Sequence, residues 1–551
     1  MSGDAPRPGA PATGVPATGT PATGAPREDS TGPADRQPRA MTHREILVVM
    51  SGLMLGLFLA ALDQTIVSTA LPRIVEELNG LDHLAWVVTA YLLTATASTP
   101  LYGKISDIYG RKPVFQTAIV IFLVGSLLAG LSQDMGQLIA TRAIQGLGAG
   151  GLISLTLAIV GDMVSPRERG RYQGYFGVVF GVASVLGPLL GGFFVDTLSW
   201  RWIFYVNLPL GIVALLVVAR VLHAPFTPRQ HSIDYLGAAL MVGGVTSLLL
   251  VTVWAGQEYD WDSPVIVGLS VTAAVLLGLF VWQERRAPEP ILSMRLFRNR
   301  TFAIGNTVGF LFGFGFFGAI IFLPLYLQIV RGATPTQSGL QLLPLVLGIF
   351  LTANLSGQLI TRTGRYKAWP VAGLAIVAVG MFLLAQLDVD EPLWSVLLRI
   401  FVLGIGLGCV IQTLVVAVQN AVDPRELGVA TSSTTFFRTL GGAFGTSVFG
   451  AVLGSVLARE LADRLGGSLP PGVDPDTIAA GPEAVRALPP EVQAQVVDSF
   501  VVALDRVFLI GVPVALVAMV LALFLPELEL RRTTGVVERD AAPAETADRT
   551  E

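Results

Sequence analysis

An aspartate and an arginine set in otherwise apolar sequence are the residues of this chain best suited to chemistry. Asp63 lies in Leu62-Asp63-Gln64-Thr65-Ile66-Val67-Ser68-Thr69-Ala70-Leu71-Pro72, and Arg142 opens Arg142-Ala143-Ile144-Gln145-Gly146-Leu147-Gly148-Ala149-Gly150. A charge in such surroundings is costly unless it faces a partner or a wet cavity. At the rise of an α-helix, Asp63 is about 14 Å and Arg142 about 8 Å from the same end of their segments, so the two can pair. Burial favours a neutral carboxyl, whereas a neighbouring arginine favours a charged one. A separation that changes between two states would therefore load and release a proton at Asp63, with Gln145 one turn from the arginine. Arg438, about ten residues or roughly 15 Å into a later apolar run, is a third charge that packing does not explain. These four residues are the candidates for proton coupling and for the lining of a substrate cavity.

Two further motifs are mechanical. The stretch Gly103-Lys104-Ile105-Ser106-Asp107-Ile108-Tyr109-Gly110-Arg111-Lys112 sets two glycines, an acid and a basic pair between apolar runs. Its glycines permit a tight turn and close helix approach. Asp107 can accept from Arg111 and rest against the positive N-terminal end of another helix. With Asp162 at the end of a neighbouring run, these residues form a candidate gating latch. Further on, Gly181 and Ala183-Ser184-Val185-Leu186-Gly187-Pro188-Leu189-Leu190-Gly191-Gly192 combine a proline, which withdraws a helix hydrogen bond, with small residues that let helices close on one another. That combination suits a bending gate helix. Other chemistries lack their residues: four histidines are scattered, Cys409 is the single cysteine, and no G-x-x-x-x-G-K-[ST] phosphate loop occurs. No metal, cofactor, ATP hydrolysis, enzymatic activity or nucleic-acid partner is expected.

Those residues need a bilayer around them to make sense. Of 551 residues, 52% are apolar and only 14% charged, against about 25% charged in soluble domains. The charges collect between long apolar runs, and a hydrocarbon core of ~30 Å requires about 20 such residues per crossing. Fourteen runs qualify, from 46–71 to 500–526. Loops at one end hold Lys104, Arg111 and Lys112, then Arg167, Arg169 and Arg171, then Arg295, Arg298 and Arg300, then Arg362, Arg365 and Lys367. Loops at the other end hold scattered arginines such as Arg73, Arg201 and Arg331. The basic end is cytoplasmic by the positive-inside rule, and an even number of crossings puts both termini there.

The chain is also internally duplicated. At a constant offset of 258, Gly146, Gly148 and Gly150 fall on Gly404, Gly406 and Gly408, Pro166-Arg167-Glu168 on Pro424-Arg425-Glu426, and Gly187 on Gly445. Each copy holds six helices, with two more inserted between them. The expected division is a disordered Pro/Ala/Thr/Gly-rich tail over 1–44, a six-helix bundle over 45–223, and two inserted helices with a linker over 224–300. A second six-helix bundle follows over 301–530, with an acidic outer loop over 459–498, and a disordered tail over 531–551. Parallel duplicated halves are a recurrent transporter architecture, with the substrate site near mid-membrane at their interface.

These motifs resemble those of the major facilitator superfamily. The latch resembles its G-x-x-x-D-x-x-G-R-K loop, and the Arg142 segment its R-x-x-Q-G-x-G motif. The Asp63 segment, the Gly187-Pro188 helix and Trp200-Arg201-Trp202-Ile203-Phe204-Tyr205-Val206-Asn207-Leu208-Pro209 resemble the fourteen-helix branch of its drug:proton antiporters. Ala183 stands where the antiporter motif usually has its first glycine. The resemblance implies an all-α integral membrane protein with the major facilitator fold. It implies a monomeric multi-pass protein of the cell inner membrane that exchanges inward protons for outward lipophilic or cationic drugs. A dedicated exporter of an endogenous lipid or secondary metabolite is the alternative within transport, and a non-transport protein on the same scaffold the alternative outside it.

Overall fold

The computed structural model describes residues 43–78, 84–164, 169–222, 234–256, 258–464, 485 and 488–530. The expected tail over 531–551, nearly all of that over 1–44, and residues 465–484 of the outer loop lie outside the described residues. The described residues are helical throughout, apart from connecting turns and a single bridge between Ala255 and Tyr259. Helices are the natural outcome for apolar chain in lipid, because they satisfy every backbone group within the segment.

The first six-helix set comprises α1 (His43–Leu78), α2 (Leu84–Tyr109), α3 (Arg111–Leu131), α4 (Met135–Met163), α5 (Arg169–Thr197), and a segment divided into α6 (Trp202–Tyr205) and α7 (Asn207–Val221). The inserted pair is α8 (Tyr235–Trp254) and α9 (Pro264–Glu284). The second set begins with α10 (Arg300–Leu325), which runs into a π turn over Tyr326–Val330. It continues through α11 (Pro335–Gln341), α12 (Leu343–Thr363), α13 (Ala368–Leu384), α14 (Leu393–Ala421), α15 (Leu427–Arg464) and α16 (Pro490–Leu523).

Two expected single runs are broken, and proline is the reason in each. Pro209 cannot donate to Tyr205, where α6 stops, and Pro344 cannot donate to Leu340, where α11 gives way to α12. Helix starts carry their own signals: Asp134 accepts from the Gln137 amide at 2.8 Å, Asn299 from the Thr301 amide at 2.9 Å, and Thr334 with Gln337 forms a capping box. Among the described residues, twelve helical segments are long and apolar enough to cross a membrane. The expected fourteen would also need α2, whose last turns carry Lys104 and Asp107, and α13, which has 17 residues.

The duplication seen in the sequence is a duplication of packing. Gly146, Gly148 and Gly150 press α4 onto the backbones of Tyr91 and Ala95 in α2 and of Ala118 and Phe122 in α3. Gly404, Gly406 and Gly408 press α14 in the same way onto Leu345 and Ile349 in α12 and onto Gly373 and Val377 in α13. Thr94 and Thr352, also 258 apart, donate to the α4 carbonyl of Ala143 at 2.8 Å and the α14 carbonyl of Ile405 at 2.9 Å. Gly187 sets α5 on Thr65 of α1, and Gly445 sets α15 on Phe314 of α10. Each set has its own apolar core, one around Phe115, Phe122 and Leu152, the other around Tyr326, Met381 and Phe508.

The inserted helices lie at the periphery. They pack on each other, and α8 leans on both α2 and α15. Val267, Val271, Val275 and Leu279 leave an exposed apolar stripe along α9, which suits contact with lipid. At the end opposite the basic loops, Trp86, Trp254 and Tyr259 form a chain of ring contacts at 5.1 and 5.7 Å, of the kind that settles at a membrane–water boundary.

Candidate functional site

Asp63 is fully buried, and every partner it has is a donor. Arg142 Nη1 reaches its Oδ2 at 2.6 Å, Gln145 Nε2 its Oδ1 at 2.7 Å, and Asn207 Nδ2 the same oxygen at 3.0 Å. Arg142 and Gln145 share one face of α4 and are linked to each other by a 2.7 Å hydrogen bond. Asn207 is the first residue of α7, placed there by the break at Val206. Its amide also donates to Ser126 Oγ at 3.0 Å, and that hydroxyl donates to the Phe204 carbonyl at 2.9 Å. The guanidinium is held further by the Val87 carbonyl at 3.3 Å and by the Tyr91 ring, 4.2 Å from its centroid. With exposures of 0% for Asp63, Gln145 and Asn207 and 1% for Arg142, the pair has lost its water and depends on this set of bonds.

The latch joins the two sets at the basic end. Arg111 Nη2 meets Asp107 Oδ1 at 2.6 Å, its Nε meets Asp162 Oδ2 at 2.7 Å, and its Nη1 donates to Ser106 Oγ. Gly110 sits at φ 92°, where a side chain would be strained, and this turn brings Arg111 back over Asp107. The second carboxylate oxygen of Asp107 accepts from the Val429 amide at 3.1 Å, in the first turn of α15, where the helix dipole favours an anion. Gly103 and Gly428 make the approach feasible, since a Cβ on Gly103 would lie 2.8 Å from the Gly428 carbonyl and one on Gly428 2.6 Å from Asp107 Oδ1. Lys112 is not in the cluster and donates instead to the Ala219 carbonyl of α7 at 2.7 Å. Lys104 faces Glu289 of the linker at 3.6 Å.

The proline-bearing helix leans on the helix that carries the buried acid. Thr65, two residues after Asp63, donates to the Ala183 carbonyl at 2.9 Å and fills the space a Cβ on Gly187 would need. Thr69 does the same at Gly191, whereas Gly192 faces open space. Pro188 lies within α5 and leaves the Ser184 carbonyl without its helical donor. α1 and α5 are thereby joined on both sides of Pro188.

Of the residues singled out from the sequence, Asp63, Arg142 and Gln145 form one cluster. Gly103, Asp107, Gly110, Arg111 and Asp162 form a second, and Gly187, Pro188, Gly191 and Gly192 lie along α5. Arg438 joins none of them; it stands at the crossing of α15 with α10, where its carbonyl abuts Gly313. Arg399 pairs with Glu391 at 2.8 Å at the opposite rim. The phenylalanines of α10 mostly pack between helices: Phe312 is buried, Phe310 pairs with Phe444 at 5.8 Å and Phe314 with Phe449 at 5.2 Å. Asn207, Ser126 and Tyr91 escaped sequence reasoning. Asn207 was visible in its motif, but a lone amide near a helix start carries no charge to mark it as buried.

Comparison with known proteins places this arrangement. Residues 53–446 match the profile of the Major Facilitator Superfamily. The chain is 44% identical over 483 residues to an uncharacterized MFS-type transporter of Mycobacterium tuberculosis, covering 88% of this chain and 70% of that one. It is 37% identical over 506 residues to the multidrug transporter protein MdtP of Bacillus subtilis, covering 88% and 93%. The fold is similar to that of the proton:xylose symporter XylE, with a TM-score of 0.56 at 15% identity over 90% of this chain and 99% of that one. The chain belongs to the Major Facilitator Superfamily and is a multi-pass membrane transporter.

Proposed function

We propose that the protein is a proton-coupled antiporter that expels lipophilic compounds from the cell by alternating access. On this reading all fourteen helices cross the inner membrane, the basic end and both termini are cytoplasmic, and the working unit is a monomer. The kinship with multidrug and efflux transporters supports export. The observation that carries proton coupling is the sealed Asp63 site, whose donors come from α4 and α7. A change of packing within the first set during the cycle shifts α1 relative to α4 and α7, withdraws the donors and exposes Asp63 to a proton. Return of Arg142 then expels that proton on the other side. Asp107, clamped between Arg111 and α15, holds the cytoplasmic end shut in the present state and releases it in the other.

Inverted membrane vesicles test this reading. With a panel of lipophilic dyes, wild type should accumulate dye on energisation and lose it on uncoupling, whereas Asp63→Asn should accumulate none at equal expression. Wild-type accumulation by Asp63→Asn, or indifference to an uncoupler, would overturn it.

A further inference from the structure

Arg438 differs from the other arginines described above in having no partner among the described residues. It lies eleven residues along α15 from Leu427, about 16 Å of helix and therefore well inside the bilayer. The positions that share its helix face, Thr431, Thr434, Thr435, Gly441, Gly442 and Gly445, are all buried, so that face looks into protein and not into lipid. Arg438 itself is only partly covered, which leaves room beside it. Among the described residues its guanidinium makes no hydrogen bond or ion pair. The hydroxyls on its face are turned to their own helix: Thr431, Thr434 and Thr435 each donate to the carbonyl four residues back.

Among the described residues no fixed charge offsets it. Asp63 is consumed by Arg142 and its amide partners. Asp505 of α16 lies within the electrostatic reach of Asp388 and Arg399 at the opposite rim. A guanidinium is permanently charged and presents five donors in a fork that matches a carboxylate or sulfonate. An uncompensated one at this depth is expensive, and a ligand that brings its own negative charge removes the expense. The helix that meets this face, α10, does so through Phe310 at Gly441 and Phe314 at Gly445, and its aromatic residues suit an apolar body attached to that charge.

We infer that Arg438 anchors a substrate subsite for anionic amphiphiles, molecules with an apolar body and a carboxylate or sulfonate head. This rests on the efflux reading and narrows its substrates: the C-terminal half selects against cations.

Three probes with one apolar body test it: pyrenebutanesulfonate, pyrenebutanol and pyrenebutyl-trimethylammonium, offered to the full chain in proteoliposomes under a pH gradient, with protein-free liposomes as blank. Wild type should move the sulfonate about tenfold or more faster than the ammonium compound, the scale of one charge-assisted hydrogen bond. Arg438→Gln should bring that ratio close to one, and Arg438→Lys should keep part of it. The wild-type ratio is decisive even if Arg438→Gln does not fold. A preference for the ammonium or the alcohol, or a sulfonate preference that survives in Arg438→Gln, would overturn the subsite and leave efflux standing. Failure of every probe and every dye to respond to the gradient would remove both.

Discussion

Asp63 is a joint as well as the proposed proton site, because the groups that satisfy it belong to helices other than its own. Each amide that donates to it is therefore part of the coupling. Asn207→Ala would remove one of the three donors and leave Ser126 without that partner. Loss of a buried hydrogen bond to a charged group typically changes an equilibrium by about tenfold or more. Proton-driven efflux by Asn207→Ala should fall by about that factor at unchanged expression, and a wild-type rate would make the contact incidental. The sequence exposed Asp63, Arg142 and Gln145 because a charge inside an apolar run is conspicuous and depth can be counted along a helix. It did not expose Asn207 or Ser126, whose place depends on how α3 and α7 meet α1. Uncharged polar residues are common in such helices, and spacing does not reveal which of them meet.

At the scale of elements, the proposed latch depends on α2 and α15 touching through glycines. Gly428→Val would drive a side chain into Asp107 and Arg111. Cysteines placed at the basic ends of α2 and α15 should cross-link readily in the parent and poorly in this variant, and Asp107→Ala should act in the same direction. Equal cross-linking in all three would dismiss the latch. The turn Pro424–Glu426 beside it carries a pH signature. Burial raises the Glu426 carboxyl above the ordinary range, and Asp423 and Asp107 raise it further. An acid whose folded value exceeds its unfolded one holds its proton more tightly when folded. Its contribution to stability is full at low pH and is lost as pH rises from the unfolded value through the folded one. Glu426→Gln should therefore raise Tm at neutral pH by roughly 1 °C and converge with the parent in acid; a constant difference across pH would contradict this. The repeat of 258 residues was legible in the glycines because close packing between helices tolerates little else. The breaks at Val206 and Leu342 were not anticipated, although Pro209 and Pro344 were in view, since proline inside an apolar run also occurs in unbroken helices such as α2 and α5.

For the whole molecule, the two sets are bound to each other at the basic end through Asp107 and Val429, and the inserted pair rests on α2 and α15 from outside. Fourteen crossings require positions 80 and 290 to lie on opposite faces of the bilayer, which accessibility labelling of single cysteines reads directly; the same face for both would end the topology. Class and general architecture were legible because composition and charge distribution act over the entire chain. Which end is closed in a given state was not, because it depends on contacts between the halves that no local pattern encodes. The central claim is that a substrate and a proton compete through Asp63 for one cycle. Adding a transported dye to purified protein in lightly buffered detergent should therefore release protons from wild type and none from Asp63→Asn. Equal release from the two proteins, or none from wild type while the dye binds, would contradict the account.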